Sequence, residues 1–329
     1  MPSPVDPGRV LAAAPRERTA HWEHKDVLLY HLGLGAGPGQ PHWTLEDRLR
    51  VLPSFATVAG GADVLGALDV PGLDLDLARV LHGSQAVEIH RPLPPAGTAR
   101  TRTRITEVHD KGSAAVFGVV TEAADATGPL WTARSRLFAR SAGGFGGERG
   151  PAHLPAPPPP RAPEAVRTLP VREDAALLYR LCGDWNPLHS DPAYAARAGF
   201  GRPVLQGLCT YGMTLRSLVD TLLAGRPERV RRYAARFTGV VYPGDHLSVR
   251  MWRDAGAGAL TETGTGARAE GGAGPDSGAA AGRIVAEVWA APGPGPCPEG
   301  APGPDGSGTG GGTARPVLGE VVLEYGAQD

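Results

Sequence analysis

The chain has 329 residues, among them 47 Gly and 33 Pro, with a formal net charge of −1 and 41% hydrophobic residues. That hydrophobic share supports a core, and the near-neutral charge argues against a nucleic-acid-binding chain. The three cysteines, Cys182, Cys209 and Cys297, form no C-x-x-C pair, which argues against a disulfide framework or a zinc site and fits a reducing compartment.

Met1 to Ala20 holds no apolar run of signal-peptide length. No segment approaches the roughly 18 apolar residues of a membrane span, so a soluble, cytoplasmic protein with no membrane partner is expected. Leu28-Leu29-Tyr30-His31-Leu32-Gly33, with Asp26 upstream, predicts a short helix with an acid in its first turn and Gly at its end. Pro53 suits a first helical position and leads into Ser54-Phe55-Ala56-Thr57-Val58. A stretch punctuated by Pro and Gly, His90 to Gly97, precedes strand-like segments at Ala99–Val108, Ala114–Glu122 and Leu130–Arg140. Gly143-Gly144-Phe145-Gly146-Gly147 lacks the spacing of a nucleotide loop and reads as a flexible strand exit. The proline run from Pro151 to Pro163 reads as a semi-rigid spacer between two domains, 1–150 and 164–329.

The same order then recurs. Leu177-Leu178-Tyr179-Arg180-Leu181-Cys182-Gly183, with Asp174 upstream, predicts another short helix. Pro203 opens a run through Leu223. Phe237 to Asp245 is again punctuated by Gly and Pro, with Phe237 opening a strand, and His246–Trp252, Arg283–Ala290 and Val317–Tyr325 read as strands. Gly/Pro-rich inserts near 253–282 and 291–316 carry no motif and are expected to be disordered. Tyr30 to Tyr179, Pro53 to Pro203 and Gly97 to Gly244 are offset by 149, 150 and 147 residues. Three matching offsets mark an internal repeat, a helix followed by antiparallel strands, twice, and therefore an α+β pseudo-dimer.

Gly183-Asp184-Trp185-Asn186-Pro187-Leu188-His189 places a carboxylate, an amide and an imidazole within six residues after a helix. Pro187 blocks helix continuation, so the three groups sit on a bent loop. Asp184 and His189 can supply acid and base to a water molecule that Asn186 orients. An Asp-x-Asn segment after a helix is equally a capping or turn device. No second His stands at ligand spacing, so no metal is expected.

This segment resembles the signature of the MaoC-like, or type 2, enoyl-CoA hydratases. The run Ala198 to Gly212 is similar to that family's following helix. Val51-Leu52-Pro53-Ser54-Phe55, Leu81-His82-Gly83-Ser84-Gln85, Asp110-Lys111-Gly112 and Gly143 to Gly147 are similar to the non-catalytic half of its two-domain members. The resemblance implies a double hot-dog fold, each half an antiparallel sheet wrapped around one central helix. It implies reversible addition of water to a trans-2-enoyl-CoA, giving the (3R)-3-hydroxyacyl-CoA. An acyl-CoA thioester would be the substrate, no separate cofactor would be needed, and a homodimer is expected. Gln206 departs from the His that many members carry before the helix Gly, and Ser84 from a common acid.

That chemistry also needs a donor for the thioester oxygen. Gly207, near the start of the Pro203–Leu223 run, would let a carbonyl approach its N–H, with the helix dipole adding to the effect. Close helix–sheet packing is the other reason for a Gly there. The resemblance further implies substrate contacts from Trp185, Pro187, Leu188, His82, Gly83 and Lys111. The chain's basic residues are Arg but for Lys25 and Lys111, and Lys111 suits a phosphate as a point charge or a hairpin turn. Phe237 would wall the acyl pocket or simply fill the core. The equivalent stretch of the first half, Gly33 to Leu52, holds His42 but no such trio, so one site per chain is expected. Other readings are a dehydratase acting on an acyl carrier protein, a thioesterase, and a non-catalytic thioester-binding protein.

Overall fold

The computed structural model describes residues 5–59, 64–152, 156–254, 281–293 and 313–327. In chain order the elements are α1 (Pro7–Leu11), β1 (Arg16–Trp22), α2 (His24–Gly33), α3 (Pro41–Thr44), β2 (Val80–Ile89), β3 (Gly97–Asp110), β4 (Ala114–Asp125), β5 (Gly128–Arg140), β6 (Ala165–Pro170), α4 (Ala175–Tyr179), α5 (Pro192–Arg197), α6 (Gly207–Leu222), β7 (Val230–Phe237), β8 (His246–Asp254), β9 (Gly282–Ala291) and β10 (Arg315–Tyr325). The strands form one antiparallel sheet in the order β1-β3-β4-β5-β2-β7-β10-β9-β8-β6. Five strands come from each half, and the two orders mirror one another about the β2–β7 seam. That symmetry is the structural form of the repeat. At the seam Ser84 lies opposite Arg236, Gln85 opposite Ala235 and Val87 opposite Tyr233.

Strand alternation places one face on the core. In β9, Ile284, Ala286, Val288 and Ala290 are buried while their neighbours are partly exposed. The principal core runs through both halves. A second cluster, with Val5, Val10, Leu68, Phe117 and Leu137, fills the far end of the first half. The long helix α6 is buried continuously from Cys209 to Val219. Tyr30 and Tyr179, repeat equivalents, meet with ring centroids 5.9 Å apart. Between the halves, Asp220 of α6 accepts from Trp43 Nε1 at 2.9 Å and Gln40 Nε2 at 2.7 Å, and lies 3.3 Å from His42 Nε2. Arg216, one turn earlier, donates to Gln40 Oε1 and to the Leu34 carbonyl.

Several expectations need revision. The helix expected from Pro203 starts at Gly207, because Val204 and Leu205 donate their N–H groups to the carbonyls of Leu188 and Val241 instead. Among the described residues the first half has no matching long helix. Pro53 opens a 3₁₀ turn, Pro53–Thr57, and a second follows at Leu65–Leu68. Gly60, Gly61 and Gly66 make this stretch poor in helix formers. Phe237 closes strand β7 rather than opening one, and His90 lies just beyond the end of β2. The Gly143–Gly147 run is pinned: Asp110 accepts the N–H groups of Gly112, Gly144 and Gly146, which holds its carboxyl below the usual range. Most of the two Gly/Pro-rich inserts, with Cys297, lies outside the described residues.

Candidate active site

Helix α4 tightens into a 3₁₀ turn, Arg180–Cys182, and Gly183 ends it in the left-handed region at φ 118°. Only Gly takes that backbone at no cost, so it can turn the chain sharply into Asp184. Asp184 Oδ1 accepts the N–H of Asn186 at 3.3 Å, and Asn186 Oδ1 caps the next turn by accepting the N–H of Leu188 at 3.0 Å. Both side chains therefore do turn work, and the capping account of this segment holds. It leaves Asp184 Oδ2 and the Asn186 amide nitrogen available.

His189 ends that second turn. Its Nδ1 is 2.8 Å from the Val204 carbonyl, which accepts only from a protonated Nδ1 and so leaves Nε2 bare. Nε2 stands 3.9 Å from Asp184 Oδ2. That gap is too wide for a direct hydrogen bond and fits a water about 2.8 Å from each atom. The His189 side chain is 11% exposed and that of Asp184 33%. Burial pushes the His189 pKa below its ordinary value while the Asp184 charge pulls it back. The lowered pKa favours the neutral imidazole, the form that can accept a proton.

Residues 204–206 connect this loop to α6. Val204 bonds both Leu188 and His189, and Gln206 Nε2 donates to the Ala176 carbonyl of α4 at 3.1 Å. Gly207 then opens α6, where the first N–H groups have no partner within the helix. A Cβ at Gly207 would lie 3.1 Å from the Phe237 ring. The close-packing reason for this Gly is therefore present. Phe237 in turn packs against His82 of β2, centroids 4.9 Å apart. The structure thus brings Asp184, Asn186 and His189 together, and separately joins Gly207, Phe237 and His82 across the seam.

The remaining candidates make other contacts. Lys111 spends its amine on the carbonyls of Arg149 and Pro151. Gly83 sits at a bulge against the Arg136 carbonyl. Trp185 is 57% exposed, with the Arg180 guanidinium 4.6 Å above its ring. Pro187 is exposed, Leu188 is partly buried, and His42 belongs to the Asp220 cluster. Val204 is missing from the sequence reading, because a backbone carbonyl has no sequence signature. An open groove of about 980 Å³, lined by Arg18, His90, Arg91, Arg100 and Arg102 among others, shares no residue with this constellation. Among the described residues no cluster of three or more His, Cys, Asp or Glu side chains could hold a metal, and no helix is long and apolar enough to cross a membrane.

Two family descriptions match the chain: the MFE-2 hydratase 2 N-terminal domain over residues 21–141 and the MaoC like domain over residues 156–270. Enoyl-CoA hydratase ChsH3 of Mycobacterium tuberculosis is 46% identical over 259 residues, 76% of this chain and 90% of that protein. The 3-hydroxyacyl-thioester dehydratase Y of the same organism is 40% identical over 270 residues, 79% of this chain and 91% of that protein. The crystal structure of a MaoC-like dehydratase from Phytophthora capsici superposes with a TM-score of 0.74 at 24% identity, covering 99% of this chain and 100% of that one. With its mirrored ten-stranded sheet and these relatives, the chain is an enzyme of the MaoC-like hydratase and dehydratase family, in the double hot-dog form that carries a hydratase 2 N-terminal half.

Proposed function

We propose that the enzyme adds water reversibly to a trans-2-enoyl-CoA and forms the (3R)-3-hydroxyacyl-CoA. The observation that carries this reading is the 3.9 Å gap between Asp184 Oδ2 and His189 Nε2, with the His189 tautomer set by Val204. A water in that gap meets two proton acceptors, and the Asn186 amide can orient it. As the water oxygen bonds to C3, negative charge moves to the thioester oxygen, where the Gly207 N–H and the start of α6 receive it. C2 then takes a proton. Asp184 and His189 share the proton traffic as a coupled pair.

In this reading residues 164–329 supply the chemistry and residues 1–150 the acyl and CoA contacts, with 151–163 between them. His82, Gly83, Phe237, Trp185, Pro187 and Leu188 are the proposed substrate contacts. Lys111 keeps its proposed phosphate contact only if its amine leaves the Arg149 and Pro151 carbonyls. CoA arrives as part of the substrate, and no resident cofactor is invoked. The proposed setting is the cytoplasm and the proposed assembly a homodimer. The likeness to a thioester dehydratase supports a second reading, the reverse reaction on a carrier-protein thioester.

Loss of the enoyl absorbance of crotonyl-CoA, with chiral analysis of the product, tests the proposal. His189→Ala is expected to lower kcat by about 10²–10⁴ while binding changes little. A wild-type protein inert on enoyl-CoA of every chain length, or a product of (3S) configuration, would overturn it. Faster turnover of carrier-protein thioesters would favour the second reading.

A further inference from the structure

Helices α2 and α4 are repeat equivalents and pack side by side where the two halves meet. A Cβ at Gly33 would stand 3.5 Å from the Tyr179 backbone, and the Tyr30 and Tyr179 rings are in contact. On α2, Val27, Tyr30 and His31 turn to the core, which leaves Leu29 and Leu32 on the solvent side. The 149-residue offset puts Leu178 and Leu181 in the same places on α4 and its 3₁₀ turn, with Leu28 and Leu177 beside them. Leu32, Leu177 and Leu181 are 46%, 52% and 49% exposed, and Leu28, Leu29 and Leu178 are partly exposed. Six leucines thus make one apolar face on the helix pair, a surface that a monomer seldom leaves to water.

The rim of the face distinguishes what can cover it. Glu23 and Asp26 close the capping box of α2. Arg172 and Asp174 hold each other through hydrogen bonds of 2.8 and 2.7 Å. Lys25, in the first turn of α2, and Glu173, just before α4, are exposed and make no hydrogen bond or ion pair among the described residues. Lys25 is one of only two lysines in the chain. One end of the face therefore offers a free cation and the corresponding end a free anion. An anionic lipid surface would call for cations at both ends. A two-fold axis lying in the face instead carries the basic end of each copy onto the acidic end of the other, and such an isologous contact uses the same patch twice.

We propose that this face is where two copies of the chain meet. The leucines of one α2–α4 pair pack on those of the other, and Lys25 of each copy faces Glu173 of the partner subunit. This rests on the homodimer proposed above and names its surface. The α2–α4 contact already joins the two halves of one chain, so the dimer continues that packing from two helices to four. The leucines supply most of the affinity through apolar burial. The two Lys25–Glu173 pairs select the antiparallel arrangement, in which α2 of one copy crosses α4 of the other, over the arrangements that set like ends together.

Sedimentation equilibrium of the full chain tests the assignment. Wild-type protein is expected to be a dimer at micromolar concentration. Leu32→Glu and Leu181→Glu are expected to raise the dimer Kd at least about tenfold, with an unchanged circular dichroism spectrum, since both side chains are half exposed within one chain. Lys25→Glu and Glu173→Lys are each expected to weaken the dimer about three- to tenfold, and the double swap Lys25→Glu/Glu173→Lys to restore it to within about twofold of wild type. The swap carries the test if a leucine variant does not fold. A wild-type dimer that none of these changes weakens overturns the assignment of this face and leaves the homodimer standing. A wild-type monomer overturns both, and its binding to phosphatidylcholine vesicles would give the face to a lipid surface instead.

Discussion

At the scale of single residues, the convergence of the trio was readable because its three groups lie in a contiguous loop. Asp184, Asn186 and His189 need only Pro187 to bend the chain between them. What gives His189 its tautomer was not readable, since Val204 contributes a carbonyl that any residue would carry. For Lys111, rarity in an Arg-rich chain drew attention to it, and the sequence could not show that its amine meets the carbonyls of Arg149 and Pro151. Gly207 meets the packing account offered for it, and a substitution tests the proposed oxyanion role. Ala is a better helix former than Gly, so Gly207→Ala should leave Tm within a few degrees. Its methyl group must push the Phe237 ring, which stands 3.1 Å from the Cβ position. Turnover is expected to fall about 10- to 100-fold, as for a displaced oxyanion donor. Recovery in Gly207→Ala/Phe237→Leu would assign the loss to crowding, and wild-type kinetics in Gly207→Ala alone would remove Gly207 from the mechanism.

At the scale of elements, strands whose buried residues alternate were found to within two residues, among them β5, β8 and β9. Strands β1, β2, β6 and β7 were not. β1 and β6 are sheet edges, where charged and polar residues replace the alternating pattern. β2 is interrupted by its bulge between His82 and Ser84, and β7 carries three Arg among its eight residues. Helix α6 is fixed to the first half by Asp220, which serves Gln40, His42 and Trp43 together. Asp220→Ala leaves the buried Trp43 Nε1 without an acceptor and frees the half-buried Gln40 and His42, and a loss of about 2–4 kcal/mol is expected from thermal or urea unfolding. A change below about 0.5 kcal/mol would show that the cluster holds nothing.

His31 of α2 makes the same kind of tie. Its Nδ1 meets the Trp43 carbonyl, and its Nε2 accepts the Leu52 N–H, so a second proton has no place. Burial lowers its pKa from 6.5 to about 3. The unfolded chain therefore binds the extra proton first. The stability from neutral His31 is complete above pH 6.5 and is lost as pH falls toward 3. His82, lowered to about 4, adds to the same trend. The urea midpoint is expected to fall steadily from pH 7 to pH 4.5, before most carboxylates titrate, and less steeply in His31→Gln. A flat profile would contradict the burial of both imidazoles.

For the molecule as a whole, the repeat offsets announced the mirrored sheet, because two copies of a five-strand unit can share one hydrogen-bonded seam. They did not announce its asymmetry. The 149-residue offset sets Gly35, Gly37 and Gln40 against Asp184, Asn186 and His189. Gln40 has been taken over by Asp220 and Arg216, and the first half puts 3₁₀ turns where the second has α6. One half thus retains the scaffold without the Asp/Asn/His trio. Calorimetric titration with a non-reacting acyl-CoA is expected to saturate at one ligand per chain, and two equivalent sites would refute that division of labour.

The strand order also sets a length requirement on the tether between the halves. The tether leaves the turn between β3 and β4, second and third in the sheet, and β6 is last, so along the sheet it passes seven to eight strand spacings, about 34–38 Å. The near end is pegged by Asp110 and Lys111, which hold the backbone at Gly144, Gly146, Arg149 and Pro151. Thirteen residues from 151 to 163, if extended as polyproline, reach about 40 Å. The proline run is therefore a ruler cut with modest slack. It lets the second half reach the opposite margin of the sheet while limiting how far the chain can stray from closing on itself.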